Sequence, residues 1–468
     1  MNVIAQRIRA RKDDIMKGKN VIVAGAGKSG VASVGLLIRN GANVTLFDGN
    51  KNLKAEELLK NFSANNKVNV ALGELTDELI QWADLFVISP GIPVDADFVN
   101  RVREAGVPIW GEIELAYYFN KGKIAAITGT NGKTTTTTLV GEIFKKYTEN
   151  TIVVGNIGLP FTQFADATNA DTMIAAEISS FQLETVVDFH PHVSAILNLT
   201  PDHLNRHYTF DNYANAKFRI QENQTADDFC ILNYDDPETL KRADKVKKAK
   251  KIFFSKTEEI EDGVYMKDGV MVVNHAGEEI PVIDASEIKI LGDHNKENVL
   301  AAIAVTYYMG VPKEIIADVI RSFQGVEHRI EFVRELNDVK YYNDSKGTNP
   351  DAAIKALRSM PSTTCLIGGG YDKKNTYDEW VDEFAGKVRF LVLIGETADD
   401  IEKCCKNHGF NEIVHADTLE DAVEICSQHA KPGDNVLLSP ACASWDMFDN
   451  FEQRGDLFKK LVKDYAAK

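Results

Sequence analysis

The sequence predicts a three-domain α/β protein whose sheets are mainly parallel, and three observations carry this. Strand-like apolar runs alternate with helix-period segments along most of the chain, the pattern of successive βαβ units. The chain has 468 residues, room for three domains at roughly 150 residues each. Its 44% hydrophobic and 26% charged content is that of a globular protein able to bury a sizeable core.

The first domain, 1–111, opens with the strand "NVIVA", which runs into the glycine turn "GAGKSG". "VASVGLLIRNG" follows with helical spacing and a glycine stop. "NVTLFD" is the second strand and "DLFVISPGI" another, ended by Pro90 and Gly91. "GVPIWGEIELAYYF" bridges into the second domain, 112–325, which starts with the strand "KIAAITG" and a second glycine loop. Further strands are "TMIAAE", "VSAILNL" and "DFCILN". Residues 263–290 alternate in polarity around a "KDG" turn and predict a small antiparallel hairpin appended to the sheet. "HNKENVLAAIAVTYYMG" is a helix ending at Gly310. The third domain, 326–468, begins with the hairpin "IEFVRELNDVKYYND" and continues with strands "TTCLIGG", "VRFLVLIG", "EIVHA" and "DNVLLSP", with helices between them. The chain has neither a fixed-period repeat nor a low-complexity tract.

A net charge of −16 argues against a general nucleic-acid or anionic-membrane surface. The six cysteines form no C-x-x-C pair, which argues against a zinc site or a disulfide framework and suits a reducing compartment. The N-terminal "MNVIAQRIRARKDDIMKGKN" is charged and lacks an apolar signal region, and no stretch approaches a membrane span. The expectation is a cytoplasmic protein without membrane insertion and, with no heptad pattern, a monomer.

Gly25-Ala26-Gly27-Lys28-Ser29-Gly30 fits G-x-G-x-x-G between a strand and a helix, and Asp48 ends the next strand. This is a Rossmann-like fingerprint for NAD. The alternatives are a tight structural turn, or a turn that binds another anionic nucleotide at the helix N-terminus. "TGTNGKTTTTT" is a second phosphate-cradling loop, but Ile127 occupies the place of the usual first glycine and the nearest glycine is Gly129. Gly129 and Gly132 let amides face phosphate oxygens, Lys133 reaches the β/γ-phosphates and Thr134 holds Mg²⁺. Five consecutive threonines are a poor choice for a helix, which points to a site rather than a plain turn.

Glu177 ends the strand of "AAEISSFQLE", where a carboxylate suits Mg²⁺ or is simply a strand-end surface group. Asp202, His203 and His207 follow another strand, at the edge where α/β proteins bind ligands. Lys217 in "YANAKFRI" reads from spacing as a lysine on a solvated helix face. Asn295 and Asn298 stand at a helix start, where caps are also expected. "NDSKGTNP" packs Asp344, Ser345, Lys346 and Thr348 into one turn, dense enough in polar groups for a ligand.

Taken together these motifs resemble the Mur ligase family of ATP-dependent, amide-forming ligases. "TGTNGKTTT", "GNIG" at 155–158, "EISSFQLE", "DHLNRH", "YANAKFRI", "HNKEN", "HRIE", "NDSKGTNP" and "SPACASWDMFDNFEQRG" fall in family order along nearly the whole chain. The last two resemble the branch that adds D-glutamate. The "DNPR"-type motif of the diaminopimelate-adding branch is absent. Folylpolyglutamate-type ligases share the short loop but not the N-terminal domain. Gly49 and Gly347 depart from common family residues, and the adjacent Lys373 and Lys374 leave one amino-acid-binding lysine open between them.

The resemblance implies three domains: Rossmann-like, P-loop ATPase-like and Rossmann-like. It implies that UDP-N-acetylmuramoyl-L-alanine, rather than NAD, uses the first glycine turn. Its expected contacts are Lys28, Ser29, Asp48, Ser89, Asn156, Ser179 and His203. ATP is expected on Gly129, Thr130, Asn131, Gly132, Lys133, Thr134, Thr135, Asn295, Asn298, Arg329, Asp344 and Lys346. D-Glutamate falls to Thr348, Lys373, Ser444 and Phe451. Two Mg²⁺ ions are implied, one on Thr134 and Glu177, the other on His203 and a carbamylated Lys217. Lys133, His203 and Lys217 are the implied catalytic groups.

Overall fold

The computed structural model describes residues 16–63, 68–156 and 158–465. Most of the charged N-terminal stretch, and Ile157 of "GNIG", lie outside them. The chain forms two compact units, Met1–Asp284 with Glu297–Val319, and Ala285–Lys296 with Ile320–Lys468.

The first unit contains two sheets. Strands β1 (Asn20–Ala24), β2 (Asn43–Asp48), β3 (Val68–Leu72), β4 (Leu85–Ile88) and β5 (Ile109–Gly111) lie in the order β3-β2-β1-β4-β5 and are all parallel. Val21 and Val23 enter one apolar core while Ile22 and Ala24 enter another. Covering both faces is why β1 reads as a continuous apolar run. Strand order reverses between β1 and β4, so the turn 25–30 stands at the switch point where such sheets bind ligands. Space there demands glycine: a Cβ on Gly25 would lie 2.6 Å from Ser89 Oγ, and one on Gly30 would lie 1.8 Å from Gly25 O.

The second sheet holds β6 (Lys123–Thr128), β7 (Thr151–Gly155), β8 (Met173–Glu177), β9 (Val193–Ile196), β10 (Phe229–Asn233), β11 (Lys250–Ser255), β12 (Gly263–Lys267), β13 (Val270–His275) and β14 (Glu278–Asp284). Their order is β14-β13-β12-β11-β10-β9-β6-β8-β7. The expected hairpin is in fact a three-stranded antiparallel meander, joined to the parallel sheet by β12 pairing with β11. It has two two-residue turns, Asp268-Gly269 and Ala276-Gly277, each with both residues at positive φ. Such turns match strand twist.

Helix Lys133–Tyr147 covers this sheet. Its Thr135, Thr136 and Thr137 are buried, so tertiary packing outweighs their weak helix propensity. The segment Val299–Val305 of helix Asp293–Tyr308 is buried on every side, as an all-round apolar helix must be.

The second unit has β15 (Glu331–Leu336), β16 (Val339–Asn343), β17 (Thr364–Gly368), β18 (Val388–Leu393), β19 (Ile413–His415) and β20 (Asn435–Leu438), ordered β15-β16-β20-β17-β18-β19. Only the β15–β16 hairpin is antiparallel. Alternate residues serve the two faces: Leu366 and Leu437 enter one core, while Ile367 and Leu438 enter the other. No helix among the described residues is long and apolar enough to cross a membrane.

Candidate active site

In the first unit the glycine loop after β6 turns through Gly129 (φ 148°) and Gly132 (φ 82°) into helix Lys133–Tyr147. Asn198, just past β9, fixes the loop. Its Oδ1 accepts from Asn131 N at 2.8 Å, its Nδ2 donates to Asn131 O at 3.2 Å, and its carbonyl accepts from Thr130 N at 2.9 Å. Lys133 Nζ folds back to donate to Gly129 O and Thr130 O, both at 2.8 Å. A Cβ on Gly132 would lie 2.1 Å from Asn298 Oδ1. Asn298 is buried and accepts from Thr136 Oγ1 at 3.4 Å. Asn295 instead donates its side-chain amide to Leu291 O.

Lys217 corrects the spacing-based reading. It is 2% exposed, not on a solvated face, because helix Phe210–Phe218 buries Tyr213, Ala214, Ala216 and Phe218 around it. Its Nζ donates to Gly129 O at 2.8 Å, the same oxygen that Lys133 uses. It also lies 4.6 Å from the centre of the Tyr213 ring, and Tyr213 in turn donates to Thr130 Oγ1 at 3.1 Å. Burial, then the charge of Lys133, hold the Lys217 amine well below the usual lysine range. A neutral amine is the form that reacts with CO₂.

Glu177 is buried at the end of β8, with Oε1 accepting from Asn156 Nδ2 at 2.8 Å. Its Oε2 is buried without a hydrogen-bond partner. A carboxylate oxygen so placed fits a hard cation, and with the Thr134 hydroxyl it supplies the oxygen chemistry Mg²⁺ prefers. His203 is 49% exposed and adopts a left-handed backbone (φ 51°). Its ring faces Asp202 and lies 4.8 Å from the Phe181 ring. His207 is buried against Ser180 and Glu184, a structural role.

At the N-terminal turn, Asp48 Oδ2 accepts from Ala26 N at 2.8 Å and Oδ1 accepts from Asn50 N at 2.9 Å. The carboxylate therefore braces the turn itself. Ser89 Oγ lies 3.5 Å from Gly25 O, Lys28 is exposed and Ser29 half-buried at the helix start. Ser179 caps helix Ser180–Leu183 in a reciprocal pair with Gln182.

In the second unit, Asp344 follows β16 and is buried. Its Oδ2 accepts from Ser439 Oγ at 2.7 Å and its Oδ1 from Ile330 N at 3.3 Å. Burial raises this carboxyl to about 7, against the pull of Ser439 and Arg329. Gly347 has a spatial reason: a Cβ there would lie 2.4 Å from Asp344 Oδ2. Lys346 lies 5.6 Å from the Phe451 ring centre, and the Thr348 amide donates to Lys346 O. Lys374 pairs with Asp372, whereas Lys373 stands 5.0 Å from the ring centre of Trp445, next to the buried Ser444.

Sequence reasoning missed Asn198, Tyr213 and Ser439. Asn198 follows a parallel strand, the signal that singled out Asp202. The other two have no local signature.

The fold and site define an ATP-dependent ligase architecture, and comparison with known proteins agrees. Residues 19–111 match the Mur ligase MurD-like N-terminal domain, 127–306 the Mur ligase middle domain, and 328–442 the Mur ligase glutamate ligase domain. The chain belongs to the Mur ligase family. It is similar to the UDP-N-acetylmuramoylalanine–D-glutamate ligases of three organisms. With that of Lachnospira eligens it is 50% identical, over 96% of this chain and 99% of the relative. For Lachnoclostridium phytofermentans the figures are 49%, 95% and 98%, and for Clostridioides difficile 44%, 96% and 99%. Among solved structures, MurF from Acinetobacter baumannii shares the fold at TM-score 0.61, with 16% identity and 95% and 93% coverage. MurC from Thermotoga maritima does so at 0.56, with 17% identity and 95% and 99% coverage.

Proposed function

We propose that this chain joins D-glutamate to the L-alanine carboxylate of UDP-N-acetylmuramoyl-L-alanine at the expense of ATP, in peptidoglycan precursor synthesis. The observation that carries the reading is near-full-length identity with relatives named for this reaction. The N-terminal match at 19–111 favours it over a folylpolyglutamate-type ligase. We take the domain limits as 1–111, 112–325 and 326–468.

A free carboxylate resists amines. An alanine carboxylate oxygen attacks the γ-phosphorus, ADP leaves, and an acyl phosphate forms. The neutral D-glutamate amine adds to its carbonyl carbon and loses a proton, and phosphate departs carrying the former carboxylate oxygen. The protein's work is to assemble and neutralise polyanions. Lys133 and the loop amides hold phosphates, aided by Gly129, Thr130, Asn131, Gly132, Thr135, Asn295, Asn298, Arg329, Asp344 and Lys346. Lys28, Ser29, Asp48, Ser89, Asn156, Ser179 and His203 take the UDP-sugar. Thr348, Lys373, Ser444 and Phe451 take D-glutamate.

Thr134 and Glu177 would hold one Mg²⁺, His203 and carbamylated Lys217 a second. When bound, these ions offset negative charge on the phosphates and the acyl phosphate. The buried, low-pKa amine of Lys217 supports carbamylation. The same reading places a monomer in the cytoplasm.

The test is phosphate release from ATP with UDP-N-acetylmuramoyl-L-alanine and, in turn, D-glutamate, L-lysine, diaminopimelate, or folate with L-glutamate. Release is expected with D-glutamate alone. Comparable turnover with L-lysine, or none with D-glutamate, overturns the assignment.

A further inference from the structure

In the second unit a buried positive charge is hydrogen-bonded to neutral oxygens, with the carboxylates of Asp446 and Asp344 acting on it only through space. Arg454 lies in the first turns of helix Phe451–Asp464 and is 1% exposed. Its guanidinium meets oxygens from two loops. Nε donates to Ser345 Oγ at 3.0 Å and Nη2 to Ser345 O at 2.9 Å. Nη2 also donates to Cys442 O at 3.2 Å, and Nη1 to Ala443 O at 3.3 Å. Ser345 Oγ in turn donates to Phe451 O at 2.8 Å, closing the network onto the helix start. Burial lowers the guanidinium to about 10, so it stays charged at neutral pH.

A desolvated cation is costly unless its hydrogen bonds are met, and Arg offers a rigid fork for meeting several at once. Here the fork spans the turn after β16 and the turn after β20. Lys346 and Thr348 follow Ser345 on the first, and Ser444 follows Ala443 on the second. The second turn is also strained, because buried Ala441 sits at φ 57°. A non-glycine residue holds that conformation only where its surroundings over-determine it. Two of the three carbonyls that Arg454 grips, those of Cys442 and Ala443, come directly after Ala441.

We infer that Arg454 is a positioning residue, setting the spacing between the loop of Lys346 and Thr348 and the loop of Ser444, and so the D-glutamate site. The inference rests on the reading of Thr348 and Ser444 as amino-acid contacts. Arg454 touches no reacting atom. It acts through backbone carbonyls that a lysine, with one ammonium, cannot hold together.

The experiment is steady-state kinetics on the full chain for Arg454→Lys, Arg454→Ala and Ser444→Ala. Arg454→Lys is expected to raise the D-glutamate KM on the order of tenfold, the scale of losing charge-assisted hydrogen bonds. The KM for the UDP-sugar substrate should stay within about twofold, because its proposed contacts lie in the first unit. Millimolar guanidinium should return part of the D-glutamate affinity to Arg454→Ala. Ser345→Ala removes the Nε acceptor and must shift the same KM in the same direction, even where the arginine variants fail to fold. The inference is overturned if Ser444→Ala raises the D-glutamate KM while Arg454→Lys and Ser345→Ala leave it unchanged. It is equally overturned if Arg454→Lys lowers thermal stability and weakens all substrates alike. An unchanged D-glutamate KM in Ser444→Ala removes the ligand reading, and the inference with it.

Discussion

Replacing Lys217 with methionine separates what this side chain does for the fold from what it does for the reaction. Methionine keeps the approximate length and removes the amine. The fold loses the 2.8 Å hydrogen bond to Gly129 O, worth about 1 kcal/mol. It also loses the contact 4.6 Å from the Tyr213 ring centre, worth about 0.5–1 kcal/mol at most. Against this, each unit by which burial and Lys133 hold the amine below its usual range, counted down to the working pH, costs about 1.4 kcal/mol of folding free energy. The depression is large, so K217M should be at least as stable as the parent near neutral pH. The unfolded chain protonates this lysine below its ordinary pKa of 10.5 while the folded chain resists. Parent stability from this group therefore rises with pH up to that value, and K217M lacks the slope. The assay pairs thermal unfolding in CO₂-free buffer, at about pH 7 and about pH 9.5, with turnover. Activity should fall by at least about 10²-fold, the scale of removing a preorganised charge-stabilising group. Turnover within tenfold of the parent would remove Lys217 from the reaction, and a melting point several degrees lower at neutral pH would make the buried amine a net stabiliser.

Lys133→Ala should also lose at least about 10²-fold in kcat, and near-normal turnover in saturating ATP would reduce the loop to a structural turn. Asp48→Ala, which frees Ala26 N, should raise the UDP-sugar KM on the order of tenfold while leaving the D-glutamate KM alone. Micromolar NAD binding that UDP fails to displace would contradict that site. Gly132→Ala puts a Cβ 2.1 Å from Asn298 Oδ1 at φ 82°. It should cost about 1–3 kcal/mol of stability, read by denaturant unfolding, together with most of the ATP affinity. A variant as stable and active as the parent would show that Asn298 is free to yield.

The outline of the fold was legible because parallel strands buried on both faces, such as β1 and β8, write themselves as apolar runs ending in glycine or a carboxylate. Strand β11 was not, since "KKAKKIFFS" places its apolar residues behind a lysine run that reads as solvated. The third strand of the meander hid behind Ala276-Gly277, a weaker turn signal than Asp268-Gly269. Within the site, Gly129, Gly132, Lys133 and Glu177 carry local signatures, and the structure gathers the first three into one loop. Lys217 and Arg454 do not: a lysine and an arginine on helices read as exposed until the tertiary structure closes over them. Asn198 and Ser439 act by bracing backbone or carboxylate across the sheet, which no local pattern records.

Ligation through an acyl phosphate moves one carboxylate oxygen into phosphate, and an oxygen label follows that transfer. UDP-N-acetylmuramoyl-L-alanine with an ¹⁸O-labelled alanine carboxylate is turned over with ATP and D-glutamate, and both products are read by mass spectrometry. The D-glutamyl amide product is expected to have lost one labelled oxygen, and the released inorganic phosphate to carry it. Label retained in the peptide product, label appearing in AMP, or no D-glutamyl product at all would contradict ligation by this route.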